Sequence, residues 1–336
     1  MINAAVLESG YYVPHKRVTN AAFEGKTLYE HDGLGNRTGK SVVTGDAWIV
    51  ERTGIRERRY AEAEDQPQVM AAKAIKRALR RSNLQASDLE GIIIATVTNK
   101  QRYPSCAQQV REQLGARNAR DCYDIAAACA GFPVALADAA LRIRQPDLFT
   151  KPGRIYAVVG VEKLTNHMNV DDPDMNDPLF GDGAGAAIVG PTENSKRGIQ
   201  AVYMAAKTEN GNLGLIVEDP MQMLRMTNGP KVFKVAVPGL VEAYQALREK
   251  TGWYNPDIIL IPHQANNNII ENARIRLELE KRQIINTVRK FGNPSAASIP
   301  IAMAIGYRKQ IIKPNTQVFV IGFGASMIIA GVAFVA

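Results

Sequence analysis

Cysteine and histidine are scarce in this sequence, which contains three cysteines and four histidines in 336 residues. No two cysteines form a CxxC pair and no histidine has metal-ligand spacing, so we expect free thiols in a reducing compartment and no bound metal. Apolar runs are short, and none reaches the ~20 residues that a membrane-spanning helix needs. The N-terminus has neither the basic start nor the long apolar stretch of a secretory signal. These absences predict a cytoplasmic protein without membrane attachment.

Positive charge is in modest excess, with 41 lysines and arginines against 33 aspartates and glutamates and a net charge of +8. A basic surface suits anionic partners such as phosphates or acidic proteins. The densest basic cluster, at residues 73–81, is interleaved with alanines at helical spacing, which indicates the wet face of an amphipathic helix. Nucleic-acid binding is not expected, because zinc-finger spacing, an aromatic RNA-binding pattern and a basic tail are all missing.

Short β-rich runs alternate with helical patterns, which predicts an α/β layered fold. The strand runs are 91–98, 154–162, 257–262 and 317–324, and the helices lie around 107–114, up to 143, around 269–279 and up to 307. The order strand, helix, small-residue turn, helix, strand occurs twice, although the residues differ almost completely. We therefore expect two duplicated halves, at residues 1–191 and 192–336.

Three polar residues follow these strands in ways that suggest a common site. Cys129 and Asn293 occupy matching turns of the two halves, and His263 follows the first core strand of the second half. Ligands of α/β sheets are normally bound at strand ends, beside the point where the halves meet. The arrangement predicts that the three side chains act together.

Cys129 lies in the run AAACAGFPVALADAALRI, where a helix is expected to begin directly after it. Unpaired N–H groups at a helix start favour a thiolate, so we expect a lowered thiol pKa and a nucleophilic sulfur. The small neighbours leave room for an acyl chain. An inert, buried thiol is the commoner fate of a free cysteine, and it is our interpretation of Cys106 and Cys122.

His263 lies in a strand-to-loop turn, IPHQANNNI, whereas His15, His31 and His167 are assigned to surface or loop structure. Asn293 lies in the turn FGNPSAAS, where its side chain could equally cap the following helix. A neutral imidazole and an amide are two fixed donors that can hold a thioester oxygen as negative charge develops on it. That pair suits a decarboxylation that forms an enolate.

Five segments carry a family resemblance over essentially the whole chain: GDAWIVERTGIRERR, AAACAGF, FGDGAGAA, PHQAN and FGNPSAAS. Together and in this order they resemble the ketoacyl-ACP synthase III family. The resemblance implies a thiolase-like fold with a duplicated, five-layered αβαβα architecture, and a homodimer. It implies that an acyl group from an acyl-CoA or another acyl thioester is loaded on Cys129 and condensed with malonyl-ACP by decarboxylation, in fatty acid or related polyketide synthesis. No cofactor other than these thioester substrates is implied.

The resemblance also implies further site residues. The backbone N–H groups of Cys129 and Phe323 would form an oxyanion hole. The coenzyme A tunnel would be lined by Thr44, Trp48, Arg52, Gly229 and Asn266. Acyl carrier protein would dock on Lys234, Arg274 and Arg276.

The sequence departs from the family pattern in three places. Residues 171–180, before FGDGAGAA, contain no arginine to stack on adenine, and Asn267 follows PHQAN where an arginine is common. The segment 23–44 is longer than the usual connection and rich in glycine and polar residues, which suits either a lid or specificity loop or an indifferent surface insertion.

Two other functions remain open. A specialised acyltransferase of the same fold would pass the acyl group to a nucleophile that is not malonyl, as the long segment and missing arginine would suit. A non-catalytic partner subunit would keep the fold alone, but the intact Cys129, His263 and Asn293 argue against it. A hydroxymethylglutaryl-type synthase is disfavoured, because it would use a glutamate as general base and this chain has asparagine at the corresponding turn.

Overall fold

Strands and helices alternate along most of the chain. The computed structural model describes residues 2–32, 34–101, 103–145, 154–169, 171–207, 216–218, 223–226, 229–324 and 328–336. The described strands are β1 (Asn3–Tyr12), β2 (Lys16–Thr19), β3 (Thr27–His31), β4 (Arg37–Val43), β5 (Glu57–Tyr60), β6 (Gly91–Ala95), β7 (Asp121–Ile125), β8 (Tyr156–Glu162), β9 (Gly183–Thr192), β10 (Gly198–Ala206), β11 (Ile216–Glu218), β12 (Leu224–Met226), β13 (Ile259–Pro262), β14 (Gln317–Phe323) and β15 (Ile328–Val335). The described α-helices are α1 (Asp46–Thr53), α2 (Pro67–Ser82), α3 (Cys106–Leu114), α4 (Gly131–Arg144), α5 (Gly229–Thr251), α6 (Asn267–Arg276), α7 (Val288–Phe291) and α8 (Ser298–Arg308).

Two mixed sheets form the centre of the fold. The first has the strand order β1-β9-β8-β6-β7, with β6 parallel to β7 and β8 and with β9 antiparallel to its neighbours. The second has the order β10-β15-β14-β13, in which only β13 and β14 are parallel. The parallel strands β6, β8, β13 and β14 are those predicted from the apolar runs. Their side chains are almost entirely buried because helices cover both faces.

The helices form three layers around the two sheets. Helices α4 and α8 contact strands of both sheets and therefore lie between them. Helices α2 and α3 cover the outer face of the first sheet, and α5 and α6 cover that of the second. The order of layers is thus helix, sheet, helix, sheet, helix, as the resemblance implied.

The central helices are apolar nearly all round, as expected of helices packed between two sheets. Phe132 and Leu136 of α4 and Ile299 and Met303 of α8 are fully buried in one hydrophobic cluster. Helix α2 has the opposite character. Its alanines are buried, whereas the basic side chains of residues 76–81 are mostly exposed, so the predicted amphipathic helix is confirmed. No helix among the described residues combines the length and apolar character needed to cross a bilayer.

The segment 23–44 is not the loop that its composition suggested. It contains the antiparallel hairpin of β3 and β4, which pair from Thr27 with Val43 to His31 with Arg37. The loop was predicted because the segment is rich in glycine and polar residues. The short run that contains Leu28 and Tyr29 nevertheless has the residue types that favour a strand. We call residues 27–43 the hairpin.

Two histidines assigned to surface or loop positions are buried. His31 is only 1% exposed, and its ring nitrogens lie 2.8 Å from Asp172 Oδ2 and 3.0 Å from Asp174 Oδ2. His167 is 8% exposed in a short 3₁₀ turn after β8. The assignment of His31 was wrong because its carboxylate partners come from a segment some 140 residues away, which local sequence does not reveal.

Candidate active site

Cys129 lies in the connection between β7 and α4. A 3₁₀ turn spans Ala128–Ala130, and α4 begins at Gly131. Ala128 has φ of +44°, a left-handed conformation that is rare for alanine and that turns the chain sharply before the sulfur. Cys129 is 9% exposed, and its thiol donates to Ser295 Oγ at 3.4 Å. The predicted position of the sulfur at the start of a helix is therefore observed.

The predicted lowering of the Cys129 thiol pKa is wrong. Burial raises this pKa to about 12, the negative charge of Glu162 adds to the rise, and the contact with Ser295 opposes it. Burial of the thiolate away from water costs more free energy than the start of the helix contributes to its stabilisation. The resting sulfur is accordingly a thiol, and a nearby group has to accept its proton when it attacks.

His263 directly follows β13 and is 5% exposed. Its backbone N–H donates to Ile321 O at 2.8 Å, which fixes it to the neighbouring strand β14. Its ring Nδ1 lies 2.7 Å from Ser298 Oγ, which also accepts from the Gln264 N–H at 3.4 Å. We assign the ring hydrogen to Nε2, with the Ser298 hydroxyl donating to Nδ1, because the same hydroxyl can accept from Gln264 and donate to the ring at once. Burial lowers the His263 pKa to about 3, so the ring is neutral at physiological pH.

Asn293 is held at both its backbone and its side chain. Its N–H donates to Leu179 O at 2.8 Å and its carbonyl accepts from the Gly181 N–H at 3.2 Å. Its side-chain Oδ1 accepts from the Ser295 N–H at 2.9 Å. Because Oδ1 is engaged by this bond, the Nδ2 group is the part of the amide that can donate to a substrate. The local turn role and the donor role, which the sequence left as alternatives, are thus compatible.

The two small-residue turns match more closely than their sequences indicate. Ser295 has the same φ of +44° as Ala128, and each residue lies three positions before its helix, α8 or α4. In this register Cys129 corresponds to Ala296, so Asn293 lies three residues earlier in its turn than Cys129 does in its own. Non-glycine residues at such angles cost about 1–3 kcal/mol and persist where the surroundings enforce them.

Ser295 and Glu162 belong to the site, although the sequence argument did not select either residue. Ser295 Oγ contacts both the Cys129 thiol and, at 3.4 Å, Glu162 Oε1. Glu162 is the last residue of β8 and is fully buried. The available signal was an acidic residue that ends an otherwise apolar strand, in the run IYAVVGVE, since a charge at such a place needs partners.

The end of β14 approaches the Cys129 turn so closely that a side chain would not fit. A Cβ at Gly322 would lie 2.9 Å from both Cys129 O and Ala130 Cα, and one at Gly160 would lie 2.1 Å from Ala296 O. The contact at Gly322 brings Phe323, at the end of β14, beside the Cys129 turn, and the contact at Gly160 brings β8 against the turn that contains Ala296.

Gly322→Ala should therefore displace the Cys129 turn. Because the new methyl group would meet backbone atoms that cannot move aside, we expect a loss of about 1–3 kcal/mol in the free energy of unfolding, measured by denaturant titration. Gly331→Ala is the matched control, since its Cβ would lie closest to the movable end of the Leu247 side chain, at 3.0 Å, and no closer than 3.6 Å to the backbone atom Val320 O. Equal stability of the two variants would contradict the close approach.

Three of the residues expected at the coenzyme A tunnel, Trp48, Arg52 and Asn266, form a group at α1. The Arg52 guanidinium lies 4.8 Å from the Trp48 ring centroid, and both side chains are at least partly accessible. Asn266 Oδ1 accepts from the Asn268 N–H at 2.7 Å as the N-cap of α6, and its Nδ2 donates to Arg52 O at 3.0 Å. Thr44 is buried, and its hydroxyl donates to Phe23 O at 2.6 Å. Trp48, Arg52 and Asn266 are thus brought together, whereas the Thr44 hydroxyl already has a backbone partner.

The residues expected at the carrier-protein surface are on two helices. Gly229, expected in the tunnel, is the first residue of α5, and Lys234 is exposed one turn further on. Arg276 is exposed at the end of α6. Arg274 is half-buried, donates to Glu271 Oε2 at 2.9 Å and to Leu279 O at 2.7 Å, and so stabilises the end of its own helix.

The acidic segment at residues 171–180 is bound by the hairpin. Arg37 Nε donates to Asp172 Oδ1 at 2.7 Å while its guanidinium lies 3.5 Å from the Tyr29 ring centroid. Asp174 pairs with His31 as described above, and the Tyr29 N–H donates to Pro173 O at 3.0 Å. The hairpin is thereby fastened to the segment in which an arginine was expected.

Comparison with protein families gives two matches on this chain. Residues 123–208 match 3-Oxoacyl-[acyl-carrier-protein (ACP)] synthase III, and residues 249–335 match its C-terminal part. The chain is 38% identical over 340 residues to Beta-ketoacyl-[acyl-carrier-protein] synthase III of Caldanaerobacter subterraneus, covering 97% of this chain and 96% of the relative. It is also 38% identical to the protein of that name from Bacillus pumilus, with the same coverage.

Solved structures of proteins with related names have the same fold as this chain. The 3-oxoacyl-[acyl-carrier-protein] synthase III of Aquifex aeolicus superposes with a TM-score of 0.86 at 33% identity, covering 99% of this chain and all of the other. A priming beta-ketosynthase from a polyketide biosynthetic pathway superposes with a TM-score of 0.85 at 30% identity, covering 99% of this chain and 96% of the other. The predicted thiolase-like architecture is confirmed.

Proposed function

The chain belongs to the 3-oxoacyl-[acyl-carrier-protein] synthase III family, and we propose that it is a condensing enzyme of fatty acid or polyketide synthesis. One observation carries the proposal: a thiol and two side-chain donors, the candidates chosen from the sequence, converge on the single turn at residues 293–298. Cys129 contacts Ser295, Asn293 is bonded to the Ser295 N–H, and His263 is bonded to Ser298.

The first half-reaction loads an acyl group on Cys129. The sulfur attacks the carbonyl carbon of an acyl-CoA or another acyl thioester, and the thiol of the donor leaves. The negative charge on the carbonyl oxygen is held by the backbone N–H groups of Cys129 and Phe323. The close approach of Gly322 to Cys129 O supports this pairing of donors.

The second half-reaction joins the acyl group to a malonyl thioester, with malonyl-ACP as the substrate. Loss of CO₂ from the malonyl group leaves an enolate, whose oxygen is held by His263 Nε2–H and Asn293 Nδ2. The enolate carbon attacks the acyl carbon, and the Cys129 sulfur leaves. A neutral imidazole suits this role, because a donor that keeps its proton stabilises the enolate without ending the reaction.

No resident cofactor is needed for these steps, and among the described residues no cluster of candidate metal ligands occurs. Coenzyme A would stack its adenine on Trp48 and place a phosphate at Arg52, with Thr44, Gly229 and Asn266 along the tunnel. Acyl carrier protein, which is acidic, would dock on Lys234, Arg274 and Arg276, of which the exposed Lys234 and Arg276 are best supported.

We also propose the duplication, the assembly and the location expected from the sequence. Halves at residues 1–191 and 192–336 are supported by the sheets, since all strands of the first sheet end by Thr192 and those of the second begin at Gly198. A homodimer in the cytoplasm, acting on thioesters and carrier protein without membrane or nucleic acid, completes the proposal.

Intact-protein mass spectrometry tests the function directly. Wild-type protein is incubated with a panel of acyl-CoA donors, and the adduct is then challenged with malonyl-ACP or malonyl-CoA. We expect one acyl group per chain, released as a 3-oxoacyl thioester together with CO₂. Transfer of the acyl group to another nucleophile without CO₂ would favour the specialised acyltransferase, and failure to form any adduct would favour a non-catalytic subunit.

We propose that the hairpin forms a rim beside the tunnel and influences the choice of donor. This is supported by its position directly before α1, which carries Trp48 and Arg52, and by its attachment to Asp172 and Asp174. The hairpin, which is longer than the connection usual in the family, thus contacts the acidic segment in which the family commonly has an arginine.

Shortening of the hairpin distinguishes a rim from an indifferent insertion. Replacing residues 30–40 with Asn-Gly keeps the pairing of Tyr29 with Ser41, and we expect KM for acyl-CoA donors to change by about tenfold, roughly 1.4 kcal/mol, with Cys129 reactivity preserved. Replacing only residues 32–36 with Asn-Gly is the control, because it keeps the anchors His31 and Arg37. Unchanged kinetic constants for every donor in a folded long-deletion variant would establish an indifferent insertion.

A further inference from the structure

Glu162 is a fully buried carboxyl group to which the proposed mechanism assigns no task. It lies at the end of β8, and three groups of the loop after β6 donate to its Oε2: Thr98 Oγ1 at 2.7 Å, the Val97 N–H at 3.1 Å and Thr96 Oγ1 at 3.3 Å. Three donors on one oxygen fix the carboxyl group and leave Oε1 directed towards Ser295 Oγ, 3.4 Å away.

A continuous path of hydrogen bonds therefore joins the Cys129 sulfur to Glu162. The thiol donates to Ser295 Oγ, and the Ser295 hydroxyl donates to Glu162 Oε1, each across 3.4 Å. All three side chains are at most 9% exposed. Ser295 is held in place by its N–H bond to Asn293 Oδ1 and by the left-handed conformation of its turn. The path runs between the two halves of the molecule and is closed to bulk water.

Burial of Glu162 favours a proton on its carboxyl group, and its neighbours do not offset this effect. Burial raises the Glu162 pKa to about 7 in spite of the four hydrogen bonds that it accepts. The adjacent Lys163 directs its Nζ to Glu62 O at 2.6 Å, and so it does not neutralise the carboxylate. The other titratable groups that sense this charge are the thiols of Cys106 and Cys129, which are neutral.

We propose that Glu162, acting through Ser295, accepts the proton of the Cys129 thiol when the sulfur is acylated. As the sulfur–carbon bond forms, the thiol proton passes to Ser295 Oγ and the Ser295 hydroxyl proton passes to Glu162 Oε1. When the bond between the acyl carbon and the coenzyme A sulfur breaks, Glu162 gives its proton back to Ser295 Oγ, and the Ser295 hydroxyl gives its proton to the departing sulfur, which leaves as a thiol. Charge and atoms balance over the step. The inference rests on the proposed role of Cys129, and it makes Glu162 a positioning residue that acts through Ser295.

His263 is poorly suited to the same task. In the tautomer assigned above, Nδ1 accepts from Ser298 and Nε2 carries the ring hydrogen, so the ring has no lone pair free to accept a proton from sulfur. The buried ring is also a very weak base. The group that holds the enolate and the group that accepts the thiol proton are therefore different.

The pH dependence of Cys129 alkylation by iodoacetamide tests the inference, because this small reagent needs no acyl donor or carrier protein. In the wild type we expect the second-order rate to rise as pH increases through about 7, where Glu162 ionises, and then to level off. Glu162→Gln removes the acceptor, so the rate at pH 8 should fall by about 10²-fold and should keep rising with pH without a plateau. Ser295→Ala breaks the path at its middle and should give the same profile. Glu162→Asp should restore part of the rate.

A purely electrostatic role predicts the opposite sign. The Glu162 charge raises the Cys129 pKa, so its removal alone would increase the alkylation rate. Asp124→Asn is the matched control, since this partly buried carboxylate binds the Cys106 and Ala107 N–H groups and not Ser295, and it should keep the wild-type profile.

Two results would overturn the inference: a rate in Glu162→Gln equal to or above that of the wild type, or a wild-type rate that is independent of pH between 6 and 9. If acyl-CoA still loads Cys129 in such a case, the proposed function stands, and only the proton transfer through Ser295 to Glu162 is excluded. If wild-type Cys129 reacts with neither reagent, both fail. Circular dichroism and thermal unfolding establish that each variant is folded. If Glu162→Gln does not fold, the alkylation profile of Ser295→Ala tests the inference in its place.

Discussion

Cys129→Ala should form no acyl adduct and should lose condensation by about 10⁴–10⁶-fold, since enzymes that lose a covalent nucleophile fall by factors of this order. Of the three cysteines, all of which the structure describes, Cys129 is the one that combines a helix start, a neighbouring small-residue turn and a hydrogen-bonded path for its proton. Decarboxylation of a malonyl thioester should persist in this variant, because His263 and Asn293 remain. Intact-protein mass spectrometry and release of CO₂ measure the two outcomes separately.

Cys106→Ala and Cys122→Ala are the controls for that prediction. Both thiols have a raised pKa because of burial, and neither residue lies at the turn of residues 293–298. Each variant should therefore retain an adduct of one acyl group per chain. Peptide mapping that placed the acyl group on either residue, or undiminished labelling of Cys129→Ala, would remove the central claim.

Asn293→Ala and His263→Ala should each lower malonyl decarboxylation by about 10²–10³-fold, the usual effect of removing one donor from a developing oxyanion. Acylation of Cys129 should remain at least partly intact in both variants, because its oxyanion is held by backbone N–H groups. The burial of His263 keeps its pKa near 3, so the imidazole stays neutral from pH 5 to 9 and contributes no titration to decarboxylation in that range.

Asn293→Asp separates the two tasks of the asparagine. The aspartate keeps the oxygen that accepts from the Ser295 N–H, but it has no N–H to donate to an enolate. If donation matters, Asn293→Asp should lose decarboxylation as fully as Asn293→Ala does, although it keeps the oxygen that accepts from Ser295. Decarboxylation at the wild-type rate in both Asn293 variants and in His263→Ala would make plain acyl transfer the better description.

The layered fold and the three central residues could be predicted from the sequence because their signals are local. Apolar runs at regular intervals locate the strands, and small-residue turns between strand and helix identify Cys129 and Asn293. The hairpin could not be predicted from such signals, since its fixed position depends on contacts such as that between Arg37 and Asp172, which are 135 residues apart.

The chemistry of the thiol was the least predictable feature. The start of α4 is visible in the sequence, but the degree of burial of Cys129 is decided by how the second half packs against the first. The same packing brings together Ser295 and Glu162, which are separated by 133 residues. A pKa reflects these long-range contacts as well as the local turn, and so the sign of its shift could not be read from the neighbouring residues.

The burial of Cys129 also bears on how this enzyme would withstand oxidants. Peroxide attacks thiolates, and the susceptibility of a cysteine follows its thiolate fraction and its exposure. A thiol that is 9% exposed and has a pKa near 12 is almost entirely protonated while the site is idle. The sulfur therefore gains nucleophilic character mainly at the moment of bond formation. Low exposure and a low thiolate fraction should both slow the conversion of the idle cysteine to a sulfenic acid, compared with an exposed thiolate.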